Sequence, residues 1–276
     1  MTSELSAAKP GRIGLCAYSL IRRVRSESAW DRLGQLNLPR EAKKVFGIDT
    51  VELYNGFMET TERRYLDRIR EQAKEEGVCL HGMAVDVPYG DICSANETDR
   101  KIGVAQNMVY VPVAQRLGLA YFRINTSGST PPAPGEIDRA IRSLKELTDV
   151  AWDRGIRVCI ENHGGLSLDP QAVRQIIETV GKDRMATVPD IGNFGSEESA
   201  YGKIAQLAPF AVSVHAKLHH FDDSGEATNI SLKRMAEAIA ATGFRGTWSI
   251  ETTSPDAAHT NENVLKSKAL LQKYLG

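Results

Sequence analysis

The stretch Arg157-Val158-Cys159-Ile160 is a short, mostly apolar run followed by the carboxylate of Glu161, and three similar runs, each followed by an ionisable side chain, occur later in the chain. The other three runs and the polar residues that follow them are 185–188 with Asp190, 211–214 with His215, and 246–250 with Glu251. The four polar residues lie 29, 25 and 36 residues apart, close to the length of one strand-loop-helix-loop unit. We therefore interpret the runs as parallel β-strands whose carboxyl ends point the same way.

The first half of the chain contains four further strand-like runs. They lie at residues 12–18, 50–54, 78–85 and 120–125. Segments with helical periodicity separate many of the strands, and the clearest are 62–76, 97–117, 135–154, 170–180, 232–242 and 261–274. Eight strand-helix alternations predict an α/β fold of the (β/α)8 TIM barrel type, a single domain over residues 12–276 after a disordered N-terminal extension, 1–11. A doubly wound open sheet is the alternative, but no glycine-rich phosphate-binding motif follows an early strand.

The composition is typical of an ordinary soluble globular protein. Of the 276 residues, 42% are hydrophobic and 25% are charged, and the net charge is -1. This balance predicts no nucleic acid and no membrane as a partner. The polar first ten residues lack the apolar core of a secretory signal, so we expect a cytoplasmic protein with buried free cysteines.

The four polar residues at the strand ends predict a metal centre. Three carboxylates and an imidazole at one barrel mouth would repel each other unless a cation lay between them. A set of oxygen and nitrogen ligands without sulfur suits Mn²⁺ first, with Mg²⁺, Co²⁺ or Zn²⁺ as alternatives. We therefore predict that Glu161, Asp190, His215 and Glu251 bind one divalent ion.

The sequence around these ligands resembles a known superfamily. The matching motifs are Ile160-Glu161-Asn162-His163, Pro189-Asp190-Ile191-Gly192-Asn193, Val214-His215-Ala216-Lys217 and Ser249-Ile250-Glu251. They are similar to the xylose-isomerase-like superfamily, and within it to the sugar phosphate isomerase/epimerase branch that includes inosose dehydratases and ketose 3-epimerases. The resemblance spans about residues 12–271. It implies a sugar or keto-sugar isomerase or epimerase with a metal-stabilised enediolate, in which Glu161 and Glu251 are also the proton-transfer pair.

Two positions depart from the ketose 3-epimerase pattern. Asn193 stands where those enzymes usually have histidine, and Phe221 stands where they usually have arginine. Both positions contact substrate in that group. The differences argue against a free ketose as the substrate.

His163 introduces a second chemistry. It follows Glu161 by two residues, so it shares that residue's face if the strand continues, and it is either a general base or a residue that orients Glu161. A similar Glu-x-His arrangement occurs in the α-subunits of bacterial C-glycoside deglycosidases, which belong to the same superfamily. This likeness implies an alternative lyase reaction, in which a 3-keto-sugar loses a proton and eliminates its aglycone. It also leaves open a homo-oligomer or a small partner subunit.

Several other residues are predicted to surround the substrate. His81, Asn125, Asn193 and Lys217 are the predicted substrate-binding residues, with a salt bridge to a metal-site carboxylate as the alternative for Lys217. Glu52 is predicted to pair with a neighbour such as Arg123. An apolar wall is predicted from Tyr18, Trp30, Tyr54 and Phe57.

An apurinic-site endonuclease of the endonuclease IV type is the remote alternative, because it shares the barrel. That chemistry needs a trinuclear zinc cluster with many more ligands and a basic surface for DNA. Six histidines in the whole chain and a net charge of -1 argue against it.

Overall fold

Eight strands form one parallel sheet in the computed structural model, which describes residues 12–27, 32–195 and 198–275. In chain order the strands are β1 Ile13–Cys16, β2 Thr50–Tyr54, β3 Cys79–Val85, β4 Tyr121–Ile124, β5 Arg157–Ile160, β6 Met185–Thr187, β7 Ser213–Lys217 and β8 Thr247–Glu251. Each overlaps one predicted run. The predicted extension at residues 1–11 and the predicted wall residue Trp30 lie outside the described residues.

The sheet closes into a barrel. Its strand order is β6-β5-β4-β3-β2-β1-β8-β7, with parallel pairing between the named neighbours. Parallel bridges from Thr187 to Ala211 and from Asp190 to His215 join β6 to β7. The predicted TIM barrel is confirmed, and Asp190 and His215 are themselves part of its closing seam.

The largest difference in strand position is at β7. The predicted run was 211–214, whereas the strand is Ser213–Lys217. Ser213, His215 and Lys217 occupy alternate positions, so the side chains on one face of β7 are polar or charged. An apolar run is therefore shorter than the hydrogen-bonded strand, and His215 lies within β7.

Helices cover the outside of the barrel. They are α1 Ile21–Val24, α2 Leu38–Lys44, α3 Arg63–Glu75, α4 Glu97–Met108, α5 Tyr110–Leu117, α6 Glu136–Trp152, α7 Pro170–Val180, α8 Ser199–Leu207, α9 Leu232–Ala240 and α10 Thr260–Leu275. Short 3-10 helices lie at Ala17–Leu20, Gln35–Asn37, Asn55–Phe57, Gly165–Leu168 and Ala208–Phe210. No helix of the described ranges is long and apolar enough to cross a membrane.

The prediction of one helix over 97–117 was wrong. The segment forms α4 and α5, which are separated at Val109. Pro112 has no N–H, and its ring clashes with the carbonyl of Met108 four residues earlier in a continuous helix. The break therefore has a local cause that helical periodicity does not reveal.

The expectation of buried cysteines holds for three of the four. Cys16, Cys93 and Cys159 are buried, whereas Cys79 is exposed, and all four are free. Cys79 is the first residue of β3, where the strand has not yet entered the packed part of the barrel.

Candidate metal centre

Side-chain alternation brings the predicted ligands to one point at the carboxyl end of the barrel. Glu161, Asp190, His215 and Glu251 each offer a ligand atom, and these atoms all lie within 4.8 Å of one another. Glu161, Asp190 and His215 are fully buried, and Glu251 is 4% exposed. The four residues of the sequence prediction thus form a single cluster that faces the barrel axis.

The imidazole of His215 stands between two groups of carboxylates. Its Nδ1 lies 2.9 Å from Glu251 Oε2 and 3.3 Å from Glu161 Oε1. Its Nε2 lies 2.7 Å from Glu52 Oε2 on the opposite side of the ring. Nδ1 is therefore the nitrogen that faces the other ligands.

Asp190 is held by its backbone and by a neighbouring loop. Its N–H donates to Asn162 Oδ1 at 2.7 Å, and Asn162 Nδ2 donates to the Asp190 carbonyl at 2.9 Å. Gly192 donates its N–H to Asp190 Oδ1 at 2.8 Å. A Cβ on Gly192 would lie 2.9 Å from the Lys217 side chain, so a glycine is needed where that chain crosses the loop. Sequence reasoning assigned no role to Asn162.

Arg123 is the buried cation on the β5 side of the centre. Its Nε lies 2.6 Å from Glu161 Oε2. The two groups form an ion pair but not a hydrogen bond, because the N–H does not point at the oxygen. Its Nη1 donates to Asp86 at 2.7 Å. The predicted pairing of Glu52 with Arg123 was wrong, because Glu52 meets His215 and Arg123 meets Glu161 instead.

Lys217 lies on the other side of the centre, on the same face of β7 as His215. Its ammonium is 2.8 Å from Asp190 Oδ2 and 2.8 Å from Glu251 Oε1, and it donates to Asn193 Oδ1 at 3.0 Å. The salt-bridge alternative stated for Lys217 is thus present in the structure. Asn193 also donates to Glu161 Oε1 at 3.3 Å, so these two polar residues bridge three of the four candidate ligands.

The charges of the cluster fit a divalent cation. Among the described residues, four buried carboxylates (Glu52, Glu161, Asp190 and Glu251) are opposed by the cations of Arg123 and Lys217. With a neutral imidazole, two negative charges remain, and burying an unbalanced charge is costly. The donor set of oxygens with one nitrogen suits the harder divalent metals.

The surplus negative charge changes the protonation of two ligands. Burial, together with the charges of Glu251 and Glu161, raises the pKa of Asp190 to about 7 against the opposing effect of Lys217. Burial lowers the pKa of His215, but the carboxylates of Glu52 and Glu161 outweigh it and hold that pKa well above its usual value. Without a cation, the centre therefore binds protons near neutral pH.

We expect Mn²⁺ affinity to fall as the pH is lowered from 8 to 6. The cation must displace the proton of His215 and, below about pH 7, that of Asp190, so the apparent Kd should rise about tenfold per pH unit for each proton displaced. Isothermal titration calorimetry at several pH values, in buffers of different ionisation enthalpy, measures both the affinity and the protons released. An affinity independent of pH over this range would contradict the expectation.

His163 lies beside the centre in a different conformation from the one assumed. The strand ends at Ile160, and the His163 N–H donates to the Glu161 carbonyl at 2.9 Å and to Ser167 Oγ at 3.1 Å. The chain therefore turns after Glu161, and the condition that the strand continues is not met. The His163 side chain is exposed and has no hydrogen-bond partner among the described residues, so it does not orient Glu161 through a hydrogen bond.

The other predicted substrate-binding residues separate into two groups. Asn125 follows β4 at the mouth, where it donates to Asp86 at 2.8 Å and accepts from Arg123. His81 lies four residues before the carboxyl end of β3, about 13 Å along the strand, and its ring packs edge-on against Tyr121. His81 is therefore not brought together with the centre, and its role in substrate binding stays a prediction.

Three of the predicted wall aromatics contact one another. The rings of Tyr18 and Tyr54 meet edge to face at a centroid distance of 5.3 Å, and those of Tyr54 and Phe57 at 4.9 Å. Tyr18 follows the carboxyl end of β1, Tyr54 is the last residue of β2, and Phe57 follows β2. An aromatic cluster thus stands at the rim of the barrel mouth.

Comparison with solved structures gives the same fold at low sequence identity. An L-ribulose 3-epimerase aligns with a TM-score of 0.76 and 17% identity, over 96% of this chain and 94% of that chain. The IOLI protein, solved with a binding zinc atom, aligns with a TM-score of 0.73 and 16% identity, over 95% and 99%. The apo 3-keto-D-glucoside 4-epimerase YcjR from E. coli aligns with a TM-score of 0.70 and 16% identity, also over 95% and 99%.

At the level of sequence, no curated protein matches the chain. The family described as xylose isomerase-like TIM barrel matches residues 39–274. This range includes all four candidate ligands and the strands β2 to β8. This range is most of the sequence. The chain belongs to the xylose isomerase-like TIM barrel family.

Proposed function

We propose that the chain is a divalent-metal-dependent isomerase or epimerase that removes a proton next to the carbonyl of a small sugar or keto-sugar. The observation that carries the proposal is the buried cluster of Glu161, Asp190, His215 and Glu251 at the barrel mouth. The names of the structural neighbours support it, since they include an L-ribulose 3-epimerase and a 3-keto-D-glucoside 4-epimerase.

The candidate ligands and their neighbours fit this chemistry. A bound cation, with Mn²⁺ as the first expectation, would supply Lewis acidity to the oxygens of the substrate. Lys217 would add a positive charge beside the oxygen on which negative charge develops, because its ammonium already lies between Asp190 and Glu251. Asn193 and Asn125 would hold substrate hydroxyls from two sides of the mouth.

Glu251 is the better placed of the two glutamates for proton transfer. Its pKa is held well below the usual value by His215 and Lys217 in spite of its burial, so it is an anion at neutral pH. It lies at the last position of β8 and is slightly exposed to the mouth. A carboxylate there would face a substrate bound in the mouth.

The test is deuterium exchange. In D₂O with Mn²⁺, keto-sugars should take up deuterium at the carbon next to the carbonyl, and chelation of the metal should stop the exchange. Mass spectrometry follows the label, and NMR identifies its position. A broad panel of ketoses and keto-glycosides without exchange, isomerisation or elimination would contradict the proposal.

An elimination is the second candidate, and the surroundings of Glu161 favour it. Both oxygens of each glutamate are paired, those of Glu161 with Arg123, His215 and Asn193, but Glu161 is fully buried whereas Glu251 is slightly exposed to the mouth. His163 follows Glu161 by two residues, and its imidazole is exposed and has no hydrogen-bond partner in the described part of the chain. A base on one face only suits removal of a proton and loss of a leaving group better than epimerisation, which needs bases on both faces. Release of an aglycone from a 3-keto-glycoside, measured by chromatography, separates the two reactions.

A further inference from the structure

Glu52 is a buried carboxylate that the proposed reaction does not use. It lies in the middle of β2 and is fully buried, like His215. Its Oε2 is 2.7 Å from His215 Nε2, and its Oε1 has no hydrogen-bond partner in the described part of the chain. Burying a carboxylate with one oxygen unpartnered is unfavourable for folding. The contact of Glu52 with His215 therefore suggests that Glu52 has a function at the metal site.

We propose that Glu52 is a positioning residue for His215, an inference that rests on the proposed metal site. By accepting a hydrogen bond from Nε2, Glu52 leaves the lone pair of Nδ1 directed at Glu161 and Glu251. It also fixes the plane of the imidazole and increases the electron density at the ligating nitrogen. Because β1 and β8 lie between β2 and β7 in the sheet, the contact crosses the barrel interior.

Direct ligation by Glu52 of the same cation does not fit the geometry. Nδ1 and Nε2 are on opposite sides of the imidazole, and Glu52 meets Nε2 while the other ligands meet Nδ1. A second ion is the competing explanation, since Cys16, Glu52 and His215 also offer ligand atoms within 4.8 Å of one another. In that arrangement His215 would need both nitrogens free of protons, and the 2.7 Å contact between Nε2 and Glu52 would be lost.

Two substitutions at Glu52 test the proposal through metal binding. Glu52→Leu removes the acceptor, and we expect its Mn²⁺ Kd to be about 10- to 100-fold higher than that of the wild type. Glu52→Gln keeps an acceptor oxygen without the charge, so its Kd should lie between the two. Isothermal titration calorimetry gives Kd and stoichiometry, and the visible absorption of the Co²⁺-loaded protein reports the ligand geometry. A changed Co²⁺ spectrum in Glu52→Leu is expected.

A matched control separates positioning from general loosening of the strand. Leu53 is the next residue of β2, fully buried but on its other face. Leu53→Ala should lower the melting temperature and leave the Mn²⁺ Kd and the Co²⁺ spectrum unchanged. In a His215→Ala background, Glu52→Leu should weaken residual metal binding no further, because the two residues act as one unit.

The outcomes distinguish this inference from the metal site on which it rests. If the wild type binds no divalent cation, the metal site itself is refuted. If the wild type binds one cation and Glu52→Leu has the same Kd and Co²⁺ spectrum, the positioning role is refuted. A wild-type stoichiometry of two ions that falls to one in Glu52→Leu would overturn it in favour of the second site at Cys16.

Discussion

Glu251→Gln and His215→Ala proteins are expected to lose divalent-cation binding. Each substitution removes a ligand from a cluster whose four ligand atoms lie within 4.8 Å of one another. The loss of Mn²⁺ affinity should exceed the roughly 10- to 100-fold that removal of a supporting residue costs. Metal analysis after dialysis and calorimetric titration of the metal-free proteins measure it.

The two variants differ in their expected stability, which makes them complementary. His215→Ala leaves Glu52 as an unpaired buried carboxylate, and removing one partner of such a pair costs about 3–5 kcal/mol. Glu251→Gln preserves shape, and Lys217 keeps its contact with Asp190. Glu262→Gln, at an exposed position in α10, is the control that should bind metal like the wild type. Normal metal content in both site variants would refute the metal centre.

The second large effect is expected at His163. If it is the base of the proposed elimination, His163→Asn should lower turnover by about 10²- to 10⁴-fold, the usual contribution of a general base. Metal affinity and melting temperature should not change, because the His163 side chain is exposed and makes no hydrogen bond to a described residue. Steady-state assays of the wild type and the variant with Mn²⁺ and a 3-keto-glycoside measure the effect.

His259→Asn is the matched control for this prediction. His259 is also exposed, but it lies in the turn before α10 and pairs with Asp256. Its replacement should leave turnover unchanged. A His163→Asn enzyme with activity close to the wild type and unaltered metal content would show that His163 has no direct role in proton transfer.

Much of the barrel could be predicted because its strands have strong local signals. Buried parallel strands are nearly continuous apolar runs. The strands β2 and β5 begin and end at the predicted residues. The predicted position of β7 was two to three residues too early, because the strand face with His215 and Lys217 is polar and hydropathy indicates only part of the strand. The helix break at Val109 escaped periodicity because one proline, Pro112, caused it.

The sequence could predict those residues of the candidate site that lie at the carboxyl ends of strands. Residues at the carboxyl ends of parallel strands meet at one mouth whatever their neighbours, which is why Glu161, Asp190, His215 and Glu251 could be named together. The depth of His81 in the barrel could not be predicted, because it depends on where β3 begins relative to the other strands. That stagger is set by pairing across the sheet and has no local signal.

By itself, the sequence determined the barrel and the identity of the four candidate ligands, since both follow from spacing and from the period of two along a strand. Only the tertiary structure decided how the buried charges are paired. Glu52 meets His215, and Arg123 meets Glu161, across distances in sequence of 163 and 38 residues. It also decided that the chain turns at His163. The physical reason is that a buried charge takes the partner that folding places within hydrogen-bond distance, and this depends on the closure of the whole barrel.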